Sequence, residues 1–351
     1  MKAWEKNVRK VEPYVPGEQP KIDGIIKLNT NENPYPPSEK VMEALKALEN
    51  DKMRLYPDPE AVELRDEIAK KYGTKRENVF VGVGSDDVIS MCYMTFFNSD
   101  KPILFPNISY SFYPVWADVH KVPYKEVEVG PNFEIIVDTF KQENGGIIFP
   151  NPNAPTGLSL GLDAIEQIVA SNQDSVVIVD EAYVDFGTES ALKLVDKYDN
   201  LLVVQTYSKS RSLAGMRIGF AIGNVALINA LNDVKFSFNS YTMNYTSIKL
   251  GVAVMDDWDY FEETRKKIIA TRERSKEELT KLGFTFPDSK ANFIFASHKT
   301  VKAEYIFDEL KKRKIYVRYF KKPLIDSYLR ITIGTDEAMD KLFEALREIV
   351  A

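Results

Sequence analysis

The sequence is poor in the residues that build disulfides and metal centres. It has one cysteine, Cys92, and two histidines, His120 and His298, among 351 residues. A single cysteine excludes an internal disulfide and a cysteine-rich metal site, and it fits a reducing compartment such as the cytoplasm. The histidines match no catalytic motif, so we expect them to be structural or exposed. No metal is predicted.

Long apolar runs and basic stripes are also missing. No segment reaches the roughly 18 consecutive apolar residues of a transmembrane helix. The formal net charge is −6, and residues 311–322 (KKRKIYVRYFKK) are the only strongly basic stretch. Nucleic acid and membrane are therefore unlikely partners by composition, which leaves a small molecule as the expected ligand.

Hydrophobic periodicity predicts an α/β protein. Residues 1–37, with six prolines, read as an N-terminal arm. Helical spacing follows in SEKVMEALKALEN, with Ser38 as its cap, and again over residues 60–72. Five apolar runs bounded by turn residues then predict buried strands of a mostly parallel, doubly wound sheet: NVFVGVG, KPILFPN, GGIIFPNPN, DSVVIVDEAY and NLLVVQTYSK. We assign this large domain to residues 38–250.

The pattern changes near residue 250 and predicts a smaller C-terminal α+β domain, residues 251–351. It begins with a long charged helix over 257–282 and continues with strands ANFIFAS, IYVRYF and LRITIG and a helix near 301–313. A last helix is capped by Thr335. Its predicted buried stripe is Met339, Leu342, Phe343, Leu346 and Ile349.

Polar side chains follow the predicted strands of the large domain. In open α/β sheets, ligands bind beyond the carboxyl ends of the strands. We therefore expect one crevice to collect the residues at these ends: Ser85, Asp86, Tyr110, Asn153, Asp180, Tyr183, Ser208 and Lys209.

The segment VGVGSDDVI suggests an anion site. Glycines at 82 and 84 let the backbone approach a ligand, and the helix that follows presents free N–H groups. The alternative is a tight turn in which Ser85 only caps the helix. The dinucleotide fingerprint lacks its third glycine, which disfavours a nicotinamide cofactor.

An amine, a carboxylate and an arginine complete the set. Asp180 ends an apolar strand, where a carboxylate needs a cation or a helix N-terminus. Lys209 is either a solvated loop charge or a nucleophile. Thr206, Ser208 and Arg217 could bind a phosphate. Taken together, these groups match what pyridoxal phosphate requires.

The motifs and their order resemble the fold-type I, pyridoxal-phosphate-dependent aminotransferases, most closely those that act on histidinol phosphate. The similarity runs through PYVPG, LNTNENPYPP, RLYPDP, GVGSDDVI, PNISYSFY, NPNAPTG, DEAYVDF, TYSKSRSLAGMRIG, ANFIF, VRYF and LRITIGT. It implies transamination between histidinol phosphate and 2-oxoglutarate in histidine biosynthesis. Close alternatives are an aromatic amino acid aminotransferase and a threonine-phosphate decarboxylase. A binding protein without turnover is a more distant one.

The resemblance also implies roles around the cofactor ring. Lys209 would attach to the cofactor and carry the proton, and Asp180 would pair with the ring nitrogen. Tyr183 would bond the phenolic oxygen, and Tyr110 would stack on the ring. The backbone of Ser85 and Asp86, with Thr206, Ser208 and Arg217, would hold the phosphate.

Further implied roles concern the neighbouring subunit and the substrate. Tyr56 would reach the cofactor phosphate of the partner in a homodimer. Arg330 and Arg318 would grip the anionic end of the substrate. Tyr14 and the NENP segment that begins at Asn31 would close over it.

One position departs from the family pattern. The family has asparagine directly before PTG, where it bonds the phenolic oxygen, but this sequence has Ala154 there and Asn153 one residue earlier. Either Asn153 substitutes for the missing amide, or Tyr183 acts alone.

Overall fold

Helices and strands alternate along most of residues 2–351, the part of the chain described by the computed structural model. The helices are α1 (Glu39–Lys46), α2 (Val62–Tyr72), α3 (Ser85–Phe96), α4 (Tyr113–His120), α5 (Leu162–Ala170), α6 (Val225–Phe238), α7 (Tyr245–Asp256), α8 (Trp258–Lys281), α9 (Ala303–Lys312) and α10 (Asp336–Val350). The strands are β1 (Ile26–Lys27), β2 (Val79–Gly82), β3 (Ile103–Pro106), β4 (Tyr124–Val127), β5 (Ile147–Pro150), β6 (Val177–Asp180), β7 (Leu201–Thr206), β8 (Gly219–Gly223), β9 (Phe284–Thr285), β10 (Phe293–His298), β11 (Ile315–Tyr316), β12 (Arg318–Tyr319) and β13 (Leu329–Thr332).

A seven-stranded sheet in the order β2-β8-β7-β6-β5-β3-β4 forms the centre of the large domain. Strands β4, β3, β5, β6 and β7 are mutually parallel, whereas β8 runs antiparallel to both of its neighbours. All five predicted strands are present, and the mostly parallel sheet is confirmed. Strands β4 and β8 were not predicted, because the exposed start of β4 and the glycines that begin and end β8 hide their pattern.

Helices cover both faces of this sheet. Val88, Trp116 and Ile228, from α3, α4 and α6, pack on one face. On the other face, α5 packs against one half of the sheet and α2 and α7 against the other. Successive strand residues alternate between the two cores, which is why the strand sequences read as continuous apolar runs. Because β5, β6 and β7 are parallel, their carboxyl ends lie at the same edge of the sheet.

The smaller sheet has the order β12-β13-β10-β9, and all its pairings are antiparallel. Helix α10 packs on it through the five apolar residues that the sequence predicted, and Thr335 caps the helix by accepting a hydrogen bond from the Ala338 N–H. The predicted strand IYVRYF is two short strands instead of one. Strand β11 pairs with β1 of the N-terminal arm, and β12 pairs with β13.

Helices and strand pairings run across the predicted domain boundaries. Residue 250 lies inside α7, and β1 of the arm pairs in parallel with β11 of the C-terminal region. Leu28, two residues beyond the start of β1, is buried in the core that α9 and α10 share. The division at 37 and 250 stays a prediction. In residues 2–351, no helix combines the length and the apolar character needed to cross a bilayer.

Candidate active site

A cavity of about 210 Å³ opens at the carboxyl ends of β5, β6 and β7. Three parts of the chain surround it: the large sheet and its loops, the N-terminal arm, and the small sheet. The lining residues are Tyr14, Gly17, Asn29, Thr30, Asn31, Glu32, Ser85, Asp86, Tyr110, Pro150, Ala154, Asp180, Ala182, Tyr183, Thr206, Ser208, Lys209, Ala214, Arg217, Arg318 and Arg330. Of the predicted site residues, Asn153 and Tyr56 do not line it.

Lys209 projects into the cavity from the loop after β7. Its Nζ donates a hydrogen bond to the Thr30 carbonyl at 3.2 Å and lies 5.8 Å from the centre of the Tyr183 ring. The loop is held from behind, because Ser210 and the buried Arg211 both bind the Asp185 carboxylate. The amine is thus a positioned group, and the alternative of a solvated loop lysine is wrong.

The predicted anion site lies at the start of α3, and we call it the anion cup. It is formed by Gly84, Ser85, Asp86, Thr206, Ser208 and Arg217. Ser85 is the first residue of the helix and Gly84 its cap, so the alternative in which Ser85 caps the helix is wrong. Gly84 has a φ of 88°, and a Cβ there would lie 2.5 Å from Nη2 of Arg217. With a ψ of 163°, this is a backbone conformation that residues other than glycine rarely adopt, and it lets the guanidinium approach the first turn of α3.

Arg217 is loosely held in this cup. Nη1 donates to the Ser208 hydroxyl at 3.3 Å, and Nη2 lies 3.4 Å from Oδ2 of Asp86. The Thr206 hydroxyl in turn donates to Ser208 at 3.1 Å. The side chain of Arg217 is 43% exposed. A half-exposed guanidinium with long contacts retains donors for a planar, bidentate interaction with phosphate oxygens.

Asp180 ends β6 and is buried. Its Oδ2 accepts a hydrogen bond from the Tyr113 hydroxyl at 2.9 Å, and its Oδ1 accepts one from the Ala182 N–H at 3.2 Å. Burial raises the pKa of the carboxyl group to about 6, against the lowering effect of these two bonds. No α-helix begins here within residues 2–351, so the helix-cap alternative is wrong.

Aromatic rings form one wall. Tyr110 donates its hydroxyl to Oδ1 of Asp86 at 3.0 Å. Tyr14 of the arm stacks on Phe112 with ring centres 4.4 Å apart and meets Tyr110 edge-on at 6.2 Å. Burial raises the pKa of the Tyr14 hydroxyl, so it stays a neutral donor. The arm therefore closes the cavity through ring packing.

Asn31 makes hydrogen bonds that the sequence did not predict. Its Nδ2 donates to the Tyr183 hydroxyl at 2.9 Å, while its Oδ1 and backbone N–H both bond the Thr332 hydroxyl at 3.0 Å. The Asn292 amide also donates to the Asn31 carbonyl. Asn31 has a φ of 55°, a conformation that asparagine tolerates better than most residues. Asn31 therefore connects Thr332 of the small sheet to the Tyr183 hydroxyl.

Asn153 does not substitute for the asparagine missing at 154. Its Nδ2 donates to the Ile108 carbonyl at 2.9 Å, away from the cavity. Its backbone N–H and carbonyl close a tight loop with Leu158 and Gly157, which sets this direction. Ala154 lines the cavity in its place. Tyr183 lines the cavity and accepts a hydrogen bond from Asn31, and its role at the phenolic oxygen stays a prediction.

Two arginines, Arg330 and Arg318, also line the cavity. Arg330 is half-buried, its guanidinium lies 5.4 and 5.5 Å from the ring centres of Phe293 and Phe320, and its Nη2 donates to the Asn29 carbonyl at 3.1 Å. Its Nε has no hydrogen-bond partner among residues 2–351. Arg318 donates to the carbonyls of Val15 and Pro16 at 3.1 and 3.3 Å. Neither guanidinium pairs with a carboxylate in the part of the chain described.

A second layer of polar groups was missed by the sequence reasoning. Tyr113 lies behind Asp180, and only its spacing of three from Tyr110 hinted at a shared face. Glu181 is buried beside the strand end, where it accepts hydrogen bonds from Ser190 and Gln205, and burial raises its pKa to about 7. These groups follow or interrupt apolar runs, so the sequence alone does not show where they point.

The histidines lie outside the cavity lining. Nε2 of His120 lies 2.9 Å from the Ser90 hydroxyl, and Nε2 of His298 lies 3.0 Å from the Leu282 carbonyl. Both have structural hydrogen bonds, in agreement with the sequence-based expectation.

The cavity combines a lysine amine, a buried carboxylate, an anion cup, an aromatic wall and a pair of unpaired cations. The first four fit the aldehyde, ring nitrogen, phosphate and ring face of pyridoxal phosphate, so the residues suit that cofactor. The fold and this cavity define a fold-type I transferase.

Comparisons with known proteins identify the family. The model for aminotransferase class I and II matches residues 23–346. The chain belongs to this family and is an aminotransferase.

Similar sequences and structures agree with this assignment. The chain is 51% identical over 350 residues to the histidinol-phosphate aminotransferase of Clostridium beijerinckii. The alignment covers 100% of this chain and 98% of the relative. It is 53% identical over 347 residues to histidinol-phosphate aminotransferase 1 of Hydrogenovibrio crunogenus, with 99% and 98% covered.

Solved structures share the fold at lower sequence identity. The histidinol-phosphate aminotransferase of Clostridium acetobutylicum superposes with a TM-score of 0.85 at 22% identity, covering 92% of this chain and 98% of that one. The Sinorhizobium meliloti enzyme, in complex with pyridoxal-5'-phosphate, gives 0.84 at 22% identity, covering 92% and 90%.

The anion cup predicts phosphate binding by the apoprotein. Inorganic phosphate at ten times its dissociation constant should stabilise the wild type by about 1.4 kcal/mol through mass action. Arg217→Ala should remove most of this effect because it removes the guanidinium that lies at the cup. Thermal unfolding with and without phosphate measures it. Arg347→Ala, on the surface of α10, is the control, and an unchanged phosphate effect in Arg217→Ala would contradict the assignment.

Proposed function

We propose that this aminotransferase binds pyridoxal phosphate and exchanges an amino group between histidinol phosphate and 2-oxoglutarate, a step of histidine biosynthesis. The observation that carries the substrate is the pair of cavity arginines, Arg318 and Arg330, without carboxylate partners. Two guanidinium groups suit a phosphate better than a single carboxylate. Relatives that are 51–53% identical over almost the whole chain bear the name of this activity.

The residues divide the work by position. The cofactor, when bound, supplies an electron sink for the bond between the substrate carbon and its hydrogen. Lys209 would hold the cofactor through its Nζ and would carry the proton at the substrate carbon. The Asp180 carboxylate would pair with the ring nitrogen and favour its protonated form. Ser85, Asp86, Thr206, Ser208 and Arg217 anchor the phosphate.

Tyr183 and Tyr110 orient the ring. The Tyr183 hydroxyl accepts a bond from Asn31, which leaves its own hydrogen free to donate to the phenolic oxygen. Tyr110 provides the ring face for stacking. Because Ala154 offers no amide, Tyr183 is the side chain proposed for this oxygen.

The arm and the arginines bind the substrate. Arg330 has a buried, unpartnered Nε, and Arg318 gives its donors to arm carbonyls that a phosphate can displace. The α-carboxylate of glutamate takes the same place in the second half-reaction. Tyr14 and Asn31 belong to the arm that covers this space and excludes water.

The alternatives differ in the group that meets the arginines. Phenylalanine presents a carboxylate and an apolar ring, whereas threonine phosphate presents both a carboxylate and a phosphate. A binding protein without turnover would not need an amine held in the cavity opposite a buried carboxylate. Histidinol phosphate presents a phosphate to the arginine pair and has no carboxylate to accommodate elsewhere, so we place it first.

We further propose a homodimer in which Tyr56 contributes to the partner's site. Tyr56 is 82% exposed, yet it stacks on Tyr241 with ring centres 4.6 Å apart. Met53, Leu55 and Phe238 are also exposed on the same two segments. Lys235 donates to the Pro59 carbonyl and holds those segments together. An exposed apolar patch of this kind is typical of an interface.

A cytoplasmic location is part of the proposal. It is supported by the biosynthetic role and by the only cysteine, Cys92, which is buried and free.

Lys209→Ala should abolish covalent cofactor attachment and transamination, because no other amine replaces its Nζ. Borohydride reduction followed by mass spectrometry of the peptide measures attachment. Lys193→Ala, at an exposed lysine, is the control and should keep both. A reducible adduct that persists in Lys209→Ala would contradict the site.

Arg318→Ala should lower kcat/KM for histidinol phosphate by about tenfold to hundredfold, since one charged hydrogen-bonding partner is worth about 1.5–3 kcal/mol. The loss should be smaller for phenylalanine, which lacks the phosphate. Arg313→Ala, an exposed neighbour paired with Glu309, is the control. A wild type that prefers phenylalanine would reject the proposed substrate while leaving the family assignment intact.

Tyr56→Ala should weaken cofactor binding in the dimer by about tenfold, the effect of one lost hydrogen bond to phosphate. Equilibrium dialysis of pyridoxal phosphate measures the affinity, and sedimentation velocity gives the oligomeric state. Tyr305→Ala, at an exposed tyrosine of α9, serves as the comparison. A monomeric wild type that binds the cofactor at full affinity would overturn this part of the proposal.

A further inference from the structure

Tyr113 is a fully buried residue in direct contact with the site but outside its cavity. It is the first residue of α4, and its side chain has no solvent exposure. Its hydroxyl donates a hydrogen bond to Oδ2 of Asp180 at 2.9 Å. A buried hydroxyl that donates to a carboxylate has a fixed partner, so this hydrogen bond can orient the Asp180 side chain.

The ring of Tyr113 is held on several sides. It lies 5.8 Å from Phe105 and 5.8 Å from Tyr110, the latter at 88°, and 6.2 Å from Trp116. The Tyr93 hydroxyl donates to the Tyr113 carbonyl at 3.2 Å. These contacts leave the hydroxyl one direction, toward Asp180. They also involve only the ring and the backbone, so phenylalanine can keep them.

The surroundings of Asp180 give this bond its effect. The carboxylate accepts a second bond from the Ala182 N–H, and the charges nearest to it are those of Asp86 at α3 and Lys209 after β7. A carboxylate has about four acceptor sites. Tyr113 and Ala182 occupy two of them, and the others remain available on a side chain that lines the cavity.

We propose that Tyr113 is a positioning residue whose hydroxyl fixes the Asp180 carboxylate toward the ring nitrogen of bound pyridoxal phosphate. The inference rests on the proposed cofactor. Tyr113 touches neither cofactor nor substrate and acts only through Asp180. The bond also favours the ionised carboxylate, because the hydroxyl donates to the charged form.

The pH dependence of the apoprotein has a defined sign. Burial raises the pKa of Asp180 to about 6, above its ordinary value. Its contribution to stability is therefore present at low pH and is lost as the pH rises through about 6. Without the Tyr113 hydroxyl the pKa rises by about one to two further units, and the buried charge becomes more costly at pH 8.

The test compares Tyr113→Phe with Tyr198→Phe. The Tyr198 hydroxyl also donates to a carboxylate, Oε1 of Glu166 at 2.9 Å, but neither Tyr198 nor Glu166 lines the cavity. Affinity for pyridoxal phosphate is measured between pH 5 and 8 by fluorescence titration of the apoprotein. The same titration with the deaza analogue, which has carbon in place of the ring nitrogen, removes the partner of Asp180 and keeps the phosphate.

In the wild type, affinity for pyridoxal phosphate should fall as the pH drops through about 6, where Asp180 is protonated. In Tyr113→Phe the fall should begin about one to two pH units higher, which makes binding about twofold to tenfold weaker at pH 7. The deaza analogue should bind both proteins equally. Thermal unfolding of the apoproteins should show a deficit in Tyr113→Phe that is larger at pH 8 than at pH 5, and a constant deficit in Tyr198→Phe.

Three results would overturn the inference: an unchanged pH midpoint in Tyr113→Phe, the same shift in Tyr198→Phe, or equal losses with the two ligands. Each is distinct from failure of the proposed function, in which the wild type itself would not bind pyridoxal phosphate.

Discussion

The site depends on one buried carboxylate, Asp180, at the end of β6. A buried charge is costly to desolvate, and burial raises the pKa of Asp180 to about 6 even against the lowering effect of its hydrogen bonds. Two hydrogen bonds from the protein, from Tyr113 and Ala182, offset part of that cost. The remaining acceptors face a cavity that also holds the Lys209 amine. The carboxylate is thus prepared for a cationic ring nitrogen before any ligand binds.

The arm joins the two sheets around this point. Strand β1 pairs with β11, which brings the next residues of the arm across the cavity. Asn31 bonds Thr332 of the small sheet on one side and Tyr183 on the other. Arg318 holds the arm at Val15 and Pro16. The same residues that cover the substrate space therefore also connect the small sheet to the ring-facing hydroxyl.

Most of the fold could be predicted because its signals are local. Apolar runs marked five strands of the large sheet, and the stripe of α10 and its Thr335 cap were read directly. Errors arose where long-range pairing decides. IYVRYF is one run in sequence, but β11 and β12 pair with different partners. Ser85 is a good cap by type, yet it is the first residue of α3, and Gly84, with a φ of 88°, takes the cap position.

The sequence by itself determined the order of motifs and hence the family, the large parallel sheet, and the chemical groups that the site contains. Only the tertiary structure decided which of these groups meet. Asn153 looked able to replace the amide missing at 154, but its loop turns it to Ile108, and Asn31, distant in sequence, reaches Tyr183 instead. Tyr113 carried no signal for its bond to Asp180. The physical reason is that side-chain direction in loops and second layers is set by packing between distant segments, which spacing along the chain does not encode.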